Sequence, residues 1–142
     1  MEVTFAFLCD YADTTGPKLT AVGVGIDTIR AREVPAQHYL LYAVAAFRFT
    51  IAETRSGTRK LAVHLVDADG EAVMPPLNVD IPMEPPQAGY GYRTHRVALA
   101  LQGLTFRRYG DYSVSWLVDG VEVKTLPLKV VPSDQSGPPV PQ

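Results

Sequence analysis

The sequence lacks the features that define several large classes of protein. It has one cysteine in 142 residues, which excludes an internal disulfide. No run of about 18 apolar residues occurs, so the sequence predicts no membrane-spanning helix. The formal net charge is −2, and no basic excess is present to release counterions from a nucleic acid. We therefore expect neither a nucleic-acid partner nor a membrane partner.

The first residues also lack the pattern of an export signal. The chain begins Met1-Glu2-Val3-Thr4 without a basic segment, and the apolar residues that follow alternate instead of forming a block. A free cysteine without an export signal is typical of the cytoplasm, which is the location that we expect.

What the sequence does contain is a two-residue alternation of apolar and polar side chains. The stretch "VTFAFLCDY", residues 3–11, predicts a β-strand, because its larger side chains fall on one face. The stretch "LTAVGVGIDTI", residues 19–29, predicts a second strand whose inward side chains are Val22, Val24 and Ile26. Gly23 and Gly25 on the opposite face indicate a bulge or the close approach of another segment.

The most apolar stretch is "HYLLYAVAAFRFTI", residues 38–51. Its length is also compatible with a helix. Its aromatic and β-branched residues and the proline just upstream favour a long central strand instead. The alternation that supports this strand runs through Leu41, Ala43, Ala45, Phe47, Phe49 and Ile51.

Turn residues divide the rest of the chain. The segment "ETRSGTR" predicts a hairpin loop, Asp69-Gly70 predicts a hairpin, and Asp119-Gly120 predicts a closing hairpin. The proline-rich segment "PPLNVDIPMEPP" can form only an edge strand or irregular structure. The segment "YRTHRVALALQGLTF" alternates through Val97, Leu99 and Leu101. In the closing hairpin, the side chains of one face are Tyr112, Val114, Trp116 and Val118.

These patterns predict about eight strands and no helix, which is typical of a single antiparallel β-sandwich of the Greek-key, immunoglobulin-like kind. We expect this domain to span residues 1–131 and a flexible tail rich in Pro, Gly and Ser to span residues 132–142. Tyr112, two residues after Gly110, favours a tyrosine that bonds back to the backbone at a corner of the sandwich. The match is partial, because Arg108 stands where an acidic residue is usual.

Several of these segments together resemble a family of short bacterial proteins. The segments are "FAFLCDYADTTGPKLTAVGVGIDTI", "LAVHLVDADGEAV" and "YGDYSVSWLVDGVEVKTLPLKVV". The family shares an "lla-D-A…GKL…G-G" opening, a "D-x-DG" hairpin and a final "G-x-Y…v-D-G" hairpin, and it is known as a domain of unknown function. The resemblance covers the chain to about Val131. It implies a compact all-β domain and supplies no catalytic residues.

No catalytic constellation is recognisable in the sequence, and we expect no enzyme and no cofactor. Cys9 shares a face with aromatic residues and neighbours the anion Asp10, so we interpret it as a buried packing residue and not as a nucleophile. Asp67, Asp69 and Glu71 resemble the start of a calcium loop, but Gly70 directly follows the second aspartate and breaks the spacing. We prefer a hairpin turn for this segment and keep a metal site as the weaker alternative.

The strongest candidate for an interaction surface is a group of tyrosines and arginines, which are residue types favoured in protein interfaces. The favoured function is a binding or structural module that contacts another protein or a second copy of itself. The alternative is a small-ligand module for a sugar or a divalent ion, or a hydrolase, with its site in the end loops. The candidate interaction residues are Tyr90, Tyr92, Arg93, Arg96, Arg108 and Tyr109.

Overall fold

The computed structural model describes residues 1–133, so the predicted tail lies outside the described residues from position 134 onward. The described chain is nearly all β, with ten strands and one helical turn. In chain order they are β1 (Glu2–Cys9), β2 (Tyr11–Asp13), β3 (Thr20–Val22), β4 (Thr28–Ala31), β5 (Ala36–Thr50), α1 (Ile51–Thr54), β6 (Arg59–Asp67), β7 (Leu77–Ile81), β8 (Tyr92–Phe106), β9 (Gly110–Val118) and β10 (Val121–Pro132).

The strands form three sheets. One has the order β1-β5-β8, one has the order β4-β10-β9-β6-β7, and β2 pairs with β3 in a small hairpin. All neighbouring strands are antiparallel except β4 and β10, which are parallel. The prediction of a purely antiparallel arrangement was therefore wrong at this edge. Residues 23–27 carry the chain from the small hairpin to the five-stranded sheet, where β4 joins the end of β10.

The long apolar stretch forms the central strand of the three-stranded sheet, as predicted. β5 pairs with β1 on one side and with β8 on the other. Alternate side chains from Leu41 to Phe49 are fully buried on the face that packs towards the larger sheet. The prediction fails at Ile51, which begins α1 and is exposed.

A capping box ends the central strand. The Thr50 hydroxyl accepts a hydrogen bond from the Glu53 N–H, and the Thr50 N–H donates to the Glu53 carboxylate. This reciprocal pair starts a helical turn, because it satisfies N–H groups that a helix leaves free at its beginning. β5 and β6 lie in different sheets, so the segment that was predicted to be a hairpin loop is instead a link between sheets.

The predicted strand over residues 19–29 was wrong beyond Val22. Gly23 and Gly25 have φ values of 68° and 93°, which interrupt an extended backbone. Val22 and Val24 are exposed, and of the three residues predicted to point inward only Ile26 packs against the core. The predicted close approach is found at Gly23, where an added Cβ would collide with the Asp10 carboxylate.

The remaining turns agree closely with expectation. Asp119 and Gly120, with φ values of 50° and 82°, make the tight turn that joins β9 and β10. The Asp69-Gly70 turn also forms, although its returning strand is reduced to a single bridge between Val66 and Ala72. The proline-rich segment contributes β7, an edge strand, as expected.

The main hydrophobic core contains residues of both larger sheets. Phe47 on β5 meets Trp116 on β9 edge to face, with ring centroids 5.6 Å apart, and both side chains are fully buried. A second, smaller cluster lies on the other face of the three-stranded sheet, which we call the outer face. There Ala12 of the small hairpin covers Cys9 and Val44. The hairpin thus shields one part of the outer face, and the opposite end of that face carries the candidate site.

Candidate functional site

The structure divides the six predicted interaction residues into two groups. Tyr92, Arg93 and Arg96 lie at the beginning of β8 and Tyr90 lies two residues before it, whereas Arg108 and Tyr109 follow its end. A strand of this length spans about 45 Å at its usual rise per residue. The two groups therefore cannot form one contact surface, although they are close in the sequence.

The first group lies at an open corner of the outer face. Tyr90 and Tyr92 are 59% and 41% exposed, and they line a depression of about 390 Å³ with Gln87, Thr94 and Arg96. The segment before β8 approaches this corner in a turn that is closed by a hydrogen bond from the Tyr90 N–H to the Gln87 carbonyl. This turn and the beginning of β8 thus hold two tyrosines beside the exposed Arg96 guanidinium.

Arg48 belongs to this surface, although it was not among the predicted residues. Its guanidinium carbon lies 4.2 Å from the centre of the Tyr92 ring, which is a cation–π contact. The signal was present in the sequence, because Arg48 is the only fully charged residue in the apolar stretch 38–51 and alternates with the buried Phe47 and Phe49. The alternation therefore places it on the outer face.

Phe5 completes the surface on β1. It pairs with Ala46, and Ala46 pairs with Arg96 on the other side, so the three residues form one row across the sheet. Phe5 remains exposed, and its ring stacks on Phe7 with centroids 5.8 Å apart. We call the following set the Tyr/Arg patch: Phe5, Arg48, Tyr90, Tyr92 and Arg96.

Arg93 forms contacts within the chain that its neighbours do not form. Its guanidinium forms an ion pair with Glu84 at 2.8 Å and donates a hydrogen bond to the Pro85 carbonyl. These contacts tie the irregular segment between β7 and β8 to the start of β8. Arg93 therefore positions the loop that carries Tyr90, and its charge is already compensated.

The second group is also engaged in contacts within the chain. The Arg108 guanidinium lies 2.9 Å from Asp67 and 3.0 Å from Asp69, and the Tyr109 hydroxyl donates to the Ala31 carbonyl. Asp67 Oδ1 also accepts the N–H groups of Asp69 and Glu71. The bond from Glu71, with the neighbouring Arg108, lowers the pKa of Asp67.

These contacts bear on the weaker metal alternative. Arg108 occupies the space between Asp67 and Asp69, and the backbone of the turn uses one oxygen of Asp67. Across residues 1–133 no three His, Cys, Asp or Glu side chains lie close enough together to hold a metal ion. The segment forms a turn in which the Asp67 side chain bonds the backbone of its own turn, whereas the Asp69 side chain bonds Arg108.

Cys9 is the buried packing residue that the sequence indicated. Its side chain is inaccessible to solvent, and its thiol donates to the Tyr11 carbonyl at 3.4 Å. Burial raises the pKa of this thiol, and the nearby Asp10 carboxylate raises it further. A thiol in this environment stays protonated at neutral pH and is a poor nucleophile.

Comparison with known proteins identifies the family. Residues 4–131 match a family of unknown function, DUF6941, and the chain belongs to this family. The match covers both larger sheets and the small hairpin. No curated protein matches the chain. Among the described residues, no helix has the length and apolar character needed to cross a membrane.

Proposed function

We propose that this protein is a non-enzymatic β-sandwich module of the Greek-key, immunoglobulin-like kind that acts through protein–protein contacts in the bacterial cytoplasm. Two observations support the sandwich class. The larger sheets share one core, and Tyr112 bonds back to Arg108 where the chain passes from one sheet to the other. The class of the fold does not by itself define a function, so the functional proposal depends on the surface.

The observation that carries the proposal is the Tyr/Arg patch. It combines three exposed aromatic rings with two guanidinium groups. Tyr90 lies in the loop before β8, and the other four residues lie on the three-stranded sheet. Tyrosine and arginine are the residue types that contribute most to binding energy in protein interfaces. The contact between Arg48 and Tyr92 holds two of these side chains in place before binding, which lowers the entropic cost of association.

The charges of the patch indicate the chemistry of the partner. Arg96 forms no ion pair within residues 1–133, and Arg48 has only Glu2 at 4.0 Å. Two guanidinium groups beside exposed rings favour a partner surface that presents carboxylates and apolar side chains. The overall charge of the chain is slightly negative, so this preference is local to the patch.

The proposal is tested by capture of binding partners from an extract of the native host. The bait proteins are the wild type, the variant Arg96→Glu and the control Lys124→Glu, which reverses an exposed charge on β10. We expect one protein to be captured by the wild type and the control and to be reduced at least tenfold with Arg96→Glu. Equal recovery from all three baits would refute a role for the patch.

A small-ligand module or hydrolase is the second candidate function. It is favoured by a cavity of about 650 Å³ at the end loops, which Asp69, Glu71, Arg107 and Arg108 line. The carboxylate and guanidinium groups of these walls can form hydrogen bonds with a sugar. A divalent ion would require Arg108 to leave the space between Asp67 and Asp69. A rise in melting temperature of several degrees on addition of calcium, zinc or a sugar, absent in Asp69→Asn, would favour this function over protein binding.

A further inference from the structure

β8 is a long edge strand whose central segment lacks the usual protection against pairing. Natural edge strands are kept from pairing by short length, proline, charged side chains, bulges or a covering segment. β7 has five residues and β4 has four. β1 contains a bulge between Val3 and Phe5, and its Leu8 carbonyl accepts hydrogen bonds from the N–H groups of Gly25 and Ile26. β8 has fifteen residues, and its segment 97–101, "VALAL", contains neither charge nor proline.

The hydrogen bonds of the neighbouring strands show which peptide groups of β8 face outward. The Leu8 carbonyl bonds to residues outside the sheet, so Leu8 faces away from β5. Leu8 is paired with Ala43, so the peptide groups of Ala43 face β8, where its partner is Leu99. The Thr4 hydroxyl of β1 donates a hydrogen bond to the Ala46 carbonyl. The peptide groups of Ala46 therefore face β1, as expected if those of odd-numbered β5 residues face β8.

Over residues 94–102 the even-numbered residues of β8 therefore direct both their N–H and their C=O groups away from β5. Beyond them Gly103, with a φ of 62°, interrupts the regular alternation. No backbone group elsewhere in residues 1–133 bonds to them. A row of unpaired peptide groups on a regular strand is a template for another strand. The residues of this row are Thr94, Arg96, Ala98, Ala100 and Gln102.

We propose that β8 pairs with β8 of a second copy of this chain, antiparallel about a twofold axis at Ala98, to form a continuous six-stranded sheet. The inference rests on the proposed function, since it names one partner and one contact of a protein-binding module. In this register Arg96 of one copy lies opposite Ala100 of the other, and Thr94 lies opposite Gln102. The five outward residues of each copy then exchange about ten hydrogen bonds between the chains.

A second copy suits this edge better than an unrelated strand for two reasons. A twofold contact satisfies the outward groups of both edges at once, and no arginine faces an arginine across the pair. The odd-numbered side chains Val97 and Leu99 pack against the main core but remain partly exposed. In the dimer, Val97 and Leu99 of the second copy would cover Val97 and Leu99 of the first copy and extend the core across the twofold axis.

The first experiment tests the register by crosslinking in a Cys9→Ser background, which removes the native thiol. Thr94→Cys and Gln102→Cys are treated with a bismaleimide of about 8 Å reach, singly and as an equal mixture. Crosslinked dimer is expected only in the mixture, because identical positions of the two copies lie about 27 Å apart in this register. Equal crosslinking of either variant alone would overturn the register and the proposal.

The second experiment measures self-association by sedimentation over a range of full-length protein concentrations. Ala98→Pro places a ring at the outward edge without removing a bond to β5, and it should weaken the dimer at least tenfold. Asp80→Pro is the matched control. It is also an outward edge position. The Lys60 carbonyl bonds to Asp119, so the next residue, Leu61, directs its peptide groups to its partner Val79 on β7, and Asp80 faces outward. Monomer at every concentration, a dimer unaffected by Ala98→Pro, or equal loss in the control would overturn the proposal.

Hydrogen exchange distinguishes pairing of β8 with a second copy from coverage of the β8 edge by another segment of the same chain. The amides of Ala98 and Ala100 should exchange rapidly in dilute, monomeric protein and slow as the dimer forms. Protection of these amides in the monomer would overturn the proposal, because a segment of the same chain would then cover the edge. A monomeric protein whose host partner still depends on Arg96 would reject the dimer and leave the proposed function standing.

Discussion

At the scale of single residues, the arginines show how one side-chain type takes different roles in this protein. Arg59 lies 2.9 Å from Asp119 and donates to the Glu53 carbonyl, so it joins α1 to the turn that closes the last hairpin. Arg48 and Arg96 instead lie on the outer face beside exposed tyrosine rings. The difference is one of surroundings, since a guanidinium is equally suited to an ion pair and to an aromatic face.

Glu53 makes the stability of the protein depend on pH. Its contact with the Met1 ammonium, at 2.7 Å, and the Thr50 N–H lower the pKa of this carboxyl from 4.5 to about 2. The folded state therefore binds a proton at Glu53 more weakly than the unfolded chain does. This contribution to stability is complete above pH 4.5 and is lost as the pH falls towards 2.

We expect the urea midpoint of the wild type to fall between pH 4.5 and pH 2, and we expect Glu53→Gln to show a smaller fall. Glutamine keeps a hydrogen-bond acceptor for Thr50 but cannot titrate. Asp67 and Asp119 also have lowered pKa values, so the variant should retain part of the dependence. Identical pH profiles for the two proteins would contradict the assignment.

At the scale of secondary-structure elements, alternation predicted the long strands well because one face of each is buried. β5, β8 and β9 follow the expected period. The errors lie where backbone conformation decides the outcome. Positive φ at Gly23 and Gly25 ends β3, and the capping box at Thr50 and Glu53 turns the end of β5 into α1. The Thr-x-x-Glu spacing of that box was readable in the sequence.

Tyr112 fixes the corner between β8 and β9. Its hydroxyl donates to the Arg108 carbonyl at 2.7 Å and accepts from the Arg108 N–H, while its ring packs against Phe106. Tyr112→Phe keeps the ring contact and removes only the hydroxyl, so it should lower the free energy of unfolding by about 1–2 kcal/mol.

Chemical denaturation of purified variants measures this cost. Tyr109→Phe is the control, because it deletes a hydroxyl that donates to Ala31 from a more exposed ring. It should cost less than Tyr112→Phe. A larger cost for Tyr109→Phe would show that the Arg108 contact does not hold the corner.

At the scale of the whole molecule, one core joins the two larger sheets. Phe47 belongs to the three-stranded sheet, and Trp116, the only tryptophan, belongs to the five-stranded sheet. Because their rings are in contact and fully buried, neither sheet can lose its packing face without exposing the other. We therefore expect the described chain to unfold as one cooperative unit.

Phe47→Ala should lower the free energy of unfolding by about 3–5 kcal/mol, because it leaves a cavity at the contact between the sheets. Tryptophan fluorescence and circular dichroism should report coincident transitions in the wild type. Tyr39→Ala, at a side chain that is 92% exposed, is the control and should change stability little. Separate transitions would show that the sheets unfold independently.

The candidate site was only partly predictable, because its residues come from distant parts of the chain. The sequence indicated Tyr90, Tyr92 and Arg96, since tyrosines and arginines cluster there. It could not separate them from Arg108, because the length and direction of β8 decide that distance. It also could not bring Phe5 to the patch, because strand order depends on long-range pairing.

The all-β class, the buried faces of the long strands and the tight turns could be predicted from the sequence, because these depend on local alternation and on backbone preferences at glycine and aspartate. Three features follow only from the folded arrangement: which strands are neighbours, the parallel pairing of β4 with β10, and the position of β8 at the edge of a sheet with unpaired peptide groups. Those features depend on which distant segments bury each other's apolar surface, and a local periodic pattern does not specify which segments pair.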